Sequence, residues 1–142
     1  MLLKRGEVYD IDFGLMSNSV QGGRRPGIIV QNDVGNRFSP NVIAIPITSK
    51  NKPYMPTHVL ISKGEAGLVK DSIALLENPL TVSKSSIHCK MGILSESTMS
   101  AIDIALDISL GRAKREAAAV MVNPIIQPLV LSMDSSKCSN PY

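Results

Sequence analysis

The sequence predicts a mainly β fold of the α+β class, a small and mostly antiparallel sheet or barrel with a single helix at its C-terminal end. Short apolar runs recur through the first two thirds of the chain, each bounded by Gly, Pro, Asn or Lys clusters that favour turns. A helical period appears only after them, so the strands come first and the helix last. The chain of 142 residues has the length of one domain built round one continuous core. With 4% aromatic residues and no tryptophan, that core must be made of Ile, Leu and Val.

The first run is "EVYDIDF" (7–13), and the second, "GIIVQN" (27–32), follows an unusual approach. In "VQGGRRPGIIVQND" (20–33), two glycines permit positive φ or the close approach of another molecule. Pro26 biases Arg25 towards an extended backbone, so its charge is aimed. An anion is the natural guest; the plain alternative is a solvated loop whose arginines confer solubility.

The third run, "NVIAIPIT" (41–48), alternates Ile43, Ile45 and Ile47 on one face with Val42, Ala44, Pro46 and Thr48 on the other. Pro46 marks this strand as an edge or a bulge. Thr48 ends it, pointing away from the isoleucines. "THVLIS" (57–62), "DSIALLEN" (71–78) and "IHCKMGIL" (87–94) complete the strands. The helix is "SESTMSAIDIALDISLG", with Ser95 or Ser97 as N-cap, Met99, Ile102, Leu106 and Leu110 at spacings of three and four, and Gly111 as the stop. Beyond it, "RAKREAAAVMV" favours helix up to Pro124, and the remainder is Pro- and Ser-punctuated and irregular.

The formal net charge is +3, and its distribution is informative: residues 24–90 hold nine Lys and Arg against four Asp and Glu. Cys89 and Cys138 lie far apart and suggest neither a metal knuckle nor a disulfide framework, which fits a reducing cytoplasm. No apolar stretch has the length of a signal peptide or a membrane span, so a soluble, unexported cytoplasmic protein is expected. Phosphate-binding loops, dinucleotide fingerprints and paired-histidine zinc motifs are missing, and no cofactor or metal is called for.

Arg25 and Thr48 are the chemically suggestive pair. A guanidinium offers a rigid fork of donors to phosphate oxygens, and a hydroxyl adds one more. Together they could hold a phosphodiester and stabilise additional negative charge on it. His58 reads as a structural histidine on a strand, and His88 lacks ligand spacing. Glu77, ending an apolar strand, reads by default as a cap or turn contact and more sharply as a general base.

"KRGEVYDIDF", "QGGRRPGIIVQNDVGNRFSP", "VIAIPIT", "PTHVLI", "KDSIALLE" and "ALDISLG" resemble, in order and spacing, the MazF/PemK family of toxin endoribonucleases. The likeness covers residues 4–111, which makes 1–111 a toxin domain and 112–142 a C-terminal extension. The resemblance implies an SH3-like barrel with a C-terminal helix, a homodimer, and a groove at the dimer interface. There single-stranded RNA is cleaved at short sequences without a metal, and the C-terminal segment of a cognate antitoxin competes. It also assigns Arg25 and Thr48 as the catalytic pair and places Gln21, Gly22, Gly23, Arg24, Ser49, Lys50, Glu77 and Asn78 along the RNA. Attack by the ribose 2′-OH would leave a 2′,3′-cyclic phosphate and a 5′-OH; Arg25 is too weak a base to take the proton, which leaves another group, a water or the substrate.

Two positions depart from the family pattern. Val20 stands where a Glu usually precedes Gln-Gly-Gly, and Leu80 where an Arg usually follows the fifth strand, changes expected to alter base selection. Two competing classes remain open at this point: a toxin that grips a protein such as DNA gyrase, and a family member that binds RNA or antitoxin without cutting. Retention of both Arg25 and Thr48 favours the nuclease.

Overall fold

The computed structural model describes residues 2–15 and 22–113, so the expectations for Val20, Gln21, Cys138 and the chain beyond Ala113 lie outside the described residues. Among the described residues seven strands form: β1 (Glu7–Asp12), β2 (Arg24–Ile29), β3 (Asn41–Thr48), β4 (His58–Ile61), β5 (Ser72–Leu75), β6 (Leu80–Ser83) and β7 (Ile87–Ile93). A short helix α1 (Asp33–Phe38) follows β2, and α2 (Glu96–Ser109) comes last. All pairings are antiparallel, in the order β4-β5-β3-β2-β1-β7, with β6 also on β3. The sheet curls in a barrel-like way, but among the described residues no ladder joins β4 to β7 and closes it.

The expected mainly β fold with a terminal helix is therefore present, with two elements added. α1 is six residues capped by Asn32, whose side chain accepts from Gly35 N–H; it is too short to show a helical period. β6 has only Leu80 and Val82 as apolar positions and follows Pro79, which hides it among turn residues.

β3 corrects the expectation of an edge strand. It lies at the centre of the sheet, against β2 on one side and against β6 and then β5 on the other. β6 pairs with residues 41–44 and β5 with residues 47–48, and Pro46, with no N–H to donate, falls in the gap between those two neighbours. Both faces of β3 are buried. Ile45 and Ile47 join the apolar cluster under α2, while Val42 and Ala44 join a second cluster with Tyr9, Ile11, Phe13, Ile29 and Val82. The single core expected from length is thus two clusters, one on each face of a curled sheet, and Ile43 is left at the surface.

α2 is N-capped by Ser95, whose hydroxyl accepts from Thr98 N–H, and Gly111 follows its end at φ +71°. Ile102, Ala105 and Ile108 are its buried stripe, with Met99 and Leu106 packed alongside. Leu110, expected in the stripe, is instead the exposed C-cap, already beyond the last helical turn. Between β1 and β7, Glu7 is buried and holds Lys90, Lys4 N–H (2.7 Å) and the Tyr9 hydroxyl (3.1 Å). Burial would raise its carboxyl, yet these partners leave it below the usual glutamate range. Burial and the adjacent carboxylate push the Tyr9 phenol up to about 12.

Candidate functional site

The Gly-Gly-Arg-Arg-Pro stretch forms the entry into β2, and the structure gives its two arginines different tasks. Gly23, at φ +75°, exchanges backbone hydrogen bonds with Gly14 (2.7 Å) and Phe13 (3.0 Å), closing the base of the β1–β2 loop. Arg24 points to the exposed side and is neutralised by Asp10, with Nε and Nη2 each 2.9 Å from Oδ2, which raises its pKa. Arg25 is half-buried and forms no ion pair among the described residues. Its Nε donates to the Gly22 carbonyl at 2.8 Å, which fixes the guanidinium plane and leaves both terminal nitrogens available.

The register of β2 on β3 then determines what Arg25 faces. Gly27 lies opposite Pro46, Ile28 opposite Ile45 and Ile29 opposite Ala44. The ladder ends at Gly27–Pro46, and the same register carried two residues further leads from Arg25 towards Thr48; both side chains line one cleft. Gly27 leaves room for the side chains packed over β2, because a Cβ there would lie 2.7 Å from both Ile11 Cδ1 and Phe13 Cζ. Thr48 is 3% exposed. Its Oγ1 accepts from Lys50 N–H at 3.2 Å, which leaves the O–H hydrogen to donate outward.

Arg24, Arg25, Thr48, Ser49 and Lys50 line one open cleft of about 280 Å³, floored by Pro26, Ile47 and Ser72. The structure thus brings together Arg25 and Thr48 with three of the accompanying residues expected from the sequence, while Gly22 supports the cleft from behind and Gly23 closes the loop. Ser72 was not foreseen: only the pairing of Thr48 with Ile73 in β5 brings it near. Among the described residues, none that lines the cleft is an Asp, Glu or His.

Glu77 and Asn78 lie elsewhere. They lie in the turn that follows β5, beyond Leu75 at the end of the strand away from Ile73. Glu77 Oε1 accepts from the Thr57 hydroxyl and Oε2 meets His58 Nε2, both at 3.0 Å. Burial would raise the Glu77 carboxyl, but His58, its own N–H and Thr57 together hold it low. His58 is the structural histidine expected, buried on β4, with its Nδ1 unpartnered. Leu80 opens β6 and packs against the second apolar cluster, so the leucine at this departure from the family pattern has a packing partner.

Fold and cleft together define a small, curled β protein with a cationic cleft, at the end of its central strand, that is chemically suited to a phosphodiester. Over residues 4–110 the sequence matches the family of PemK-like, MazF-like toxins of type II toxin–antitoxin systems, and the chain belongs to that family. It is 49% identical over 111 residues to the endoribonuclease MazF of Staphylococcus epidermidis, covering 78% of this chain and 92% of the relative. Among solved structures it resembles a mycobacterial endoribonuclease in complex with its cognate antitoxin, with 27% identity, a TM-score of 0.66, and coverage of 79% of this chain and 98% of the other. A crystal structure of MazF from Deinococcus radiodurans shares the fold, with a TM-score of 0.69 at 20% identity over 78% of this chain and 98% of that one.

Proposed function

We infer that this chain is an endoribonuclease toxin that cleaves single-stranded RNA at the Arg25–Thr48 cleft. The observation that carries the reading is the plane-fixed guanidinium of Arg25, without an ion pair among the described residues, in one cleft with the Thr48 hydroxyl. Staphylococcal relatives named as endoribonucleases support it, and so does the similar mycobacterial endoribonuclease bound to its antitoxin. A toxin that only grips a protein, or a member that has lost cutting, has no use for that pair.

The proposed step is attack of the ribose 2′-OH on the adjacent phosphorus. The P–O5′ bond breaks, and a 2′,3′-cyclic phosphate and a 5′-OH remain. Arg25 meets the non-bridging oxygens as negative charge grows on them, and Thr48 donates beside it. Neither side chain needs to reorganise during the step, which is why a donor fixed in advance is worth more than a mobile one. Arg25 keeps its charge throughout, and among the described residues no carboxylate or imidazole lines the cleft. The 2′-OH proton passes to another group, to water or to a phosphate oxygen of the substrate, and the leaving 5′-oxygen is protonated from water. The positive charge that a metal would bring is supplied by Arg25, with Lys50 near.

Gln21, Gly22, Gly23, Arg24, Ser49 and Lys50 flank the scissile phosphate in this reading, and Glu77 and Asn78 meet the RNA further along. Residues 1–111 are the toxin unit and 112–142 an extension. The working form is a cytoplasmic homodimer restrained by a cognate antitoxin. Among the described residues, no helix is long and apolar enough to cross a membrane. The test is incubation of the purified protein with a long RNA in excess EDTA, followed by analysis of the ends. Cleavage with cyclic phosphate and 5′-OH ends is expected; strict dependence on added magnesium, or 5′-phosphate ends, refutes the mechanism.

A further inference from the structure

Beside the Arg25–Thr48 cleft lies a second one of about 260 Å³, and Ser49, Lys50 and Ser72 form the wall between them. Its position follows from the strand pairing. Thr48 lies opposite Ile73, and Ile73 opposite Leu60, so these three side chains run across β3, β5 and β4 on one face. Two inter-strand spacings place Leu60 roughly 10 Å from Thr48. Leu60 is 75% exposed, an apolar side chain projecting from a strand whose other members, His58, Val59 and Ile61, are buried. Ile73 beside it is half-buried, and together they form an apolar wall.

The remaining walls are polar and charged. Lys50 lines this cleft, and Lys63 and Lys70 are the chain neighbours of its lining residues Ser62 and Asp71; none of the three forms an ion pair among the described residues. Amid these cations stands one carboxylate, Asp71. Its Oδ1 accepts from Lys63 N–H at 2.8 Å, which orients the group, while Oδ2 has no partner among the described residues. A carboxylate on an RNA path repels phosphates, so its presence selects for a guest that offers it N–H donors. The cleft is smaller than the roughly 300–1,000 Å³ of sites for drug-sized ligands and suits a single planar base.

We propose that this second cleft holds the base of a nucleotide flanking the scissile phosphate and selects an amino-bearing base against uracil. The inference rests on the ribonuclease reading above. The base lies against Leu60 and Ile73, Lys50 and its neighbouring lysines hold the adjoining phosphates, and Asp71 Oδ2 accepts from an amino group. Adenine, cytosine and guanine each offer such a donor. Uracil has no amino group; its one N–H donor, at N3, lies between two carbonyl oxygens, so a carboxylate accepting from it also faces two acceptors, and uracil is disfavoured.

The test uses two readouts on the full chain. In the first, wild type and Asp71→Asn cut an RNA library randomised at all positions, and the ends are sequenced. Wild type should disfavour uracil at one position flanking the cut, and Asp71→Asn should relax that bias about tenfold or more, in the range of a single good base contact. Asparagine keeps the acceptor for Lys63 N–H, so the hairpin stays intact. In the second, the Thr48→Ala protein, with and without Asp71→Asn, is titrated with short oligo-A, oligo-C and oligo-U RNAs followed by fluorescence anisotropy. Tighter binding of oligo-A and oligo-C than of oligo-U, lost with Asp71→Asn, supports the pocket even if the wild type cuts nothing, a result that would overturn only the nuclease reading. A wild type that cuts while Asp71→Asn changes neither the cut-site bases nor the binding order overturns the pocket and leaves the nuclease reading standing.

Discussion

Replacing Arg25 by alanine separates catalysis from folding, because the structure gives this side chain little structural work. It forms no ion pair, and its hydrogen bond from Nε to the Gly22 carbonyl is the only one it makes among the described residues. Losing that bond from a half-exposed position costs about 0.5–1.5 kcal/mol, which should appear as a drop of a few degrees in Tm. The loss in the transition state is larger. Removing one preorganised donor to a developing oxyanion costs about 2.7–4 kcal/mol, or roughly 10²–10³ in rate, and alanine at this position removes both terminal nitrogens along with the positive charge. Single-turnover cleavage of a long RNA, with protein in excess, reads the chemical step without product release. Arg25→Ala is expected to fall at least about 10²-fold, with circular dichroism and sedimentation unchanged. Arg25→Lys should recover little, since an ammonium lacks the planar fork that Gly22 orients. An Arg25→Ala protein within about tenfold of wild type would remove the guanidinium from the mechanism, since a tenfold effect corresponds to only about 1.4 kcal/mol.

Much of this fold can be read from apolar runs, because six of the seven strands coincide with short segments bounded by turn residues. α2 can be read as well, down to its Ser95 cap and Gly111 stop. Segments too short to have a period stayed hidden, namely α1 and β6. The centrality of β3 was hidden for a different reason. A proline in a strand argues for an edge only when both neighbouring ladders run past it, and here the neighbour changes at Pro46. The local half of the site was legible: alternation along β3 puts Thr48 on the Pro46 face, and Pro26 extends the backbone at Arg25. That the two line one cleft depends on the register of β2 on β3, which is fixed by the burial of both faces. A slip of one residue would turn Ile45 and Ile47 away from α2, and Val42 and Ala44 out of the second cluster. The two apolar clusters thus hold the register that brings Arg25 and Thr48 to one cleft, and no short motif records that. The partners of Glu77 were equally illegible, since Thr57 and His58 reach it only through the pairing of β4 with β5.

Gly27→Ala should destabilise the protein by about 1–3 kcal/mol through overpacking, since the new Cβ meets Ile11 and Phe13; an unchanged urea midpoint would show that the two side chains yield freely. At alkaline pH, phenolate absorbance should show one tyrosine ionising near 12, abolished in Tyr9→Phe. Because folding raises this pKa, its stabilisation is complete below roughly pH 10 and is lost as pH rises through the folded value. Acid acts on Glu7 with the opposite sign. Its folded pKa lies below the usual glutamate value, so the unfolded chain binds the proton first, and the contribution to stability is present above about pH 4.3 and lost as pH falls through the folded value. Wild-type urea midpoints should therefore decline below about pH 4.3. Glu7→Gln, which keeps an acceptor for Lys4 N–H and the Tyr9 hydroxyl but cannot titrate, should be less stable at neutral pH, because Lys90 loses its carboxylate partner, and should decline less steeply in acid. Parallel acid profiles for the two proteins would mean that Glu7 is protonated alike in the folded and unfolded chains, contrary to the buried, triply partnered carboxylate seen between β1 and β7.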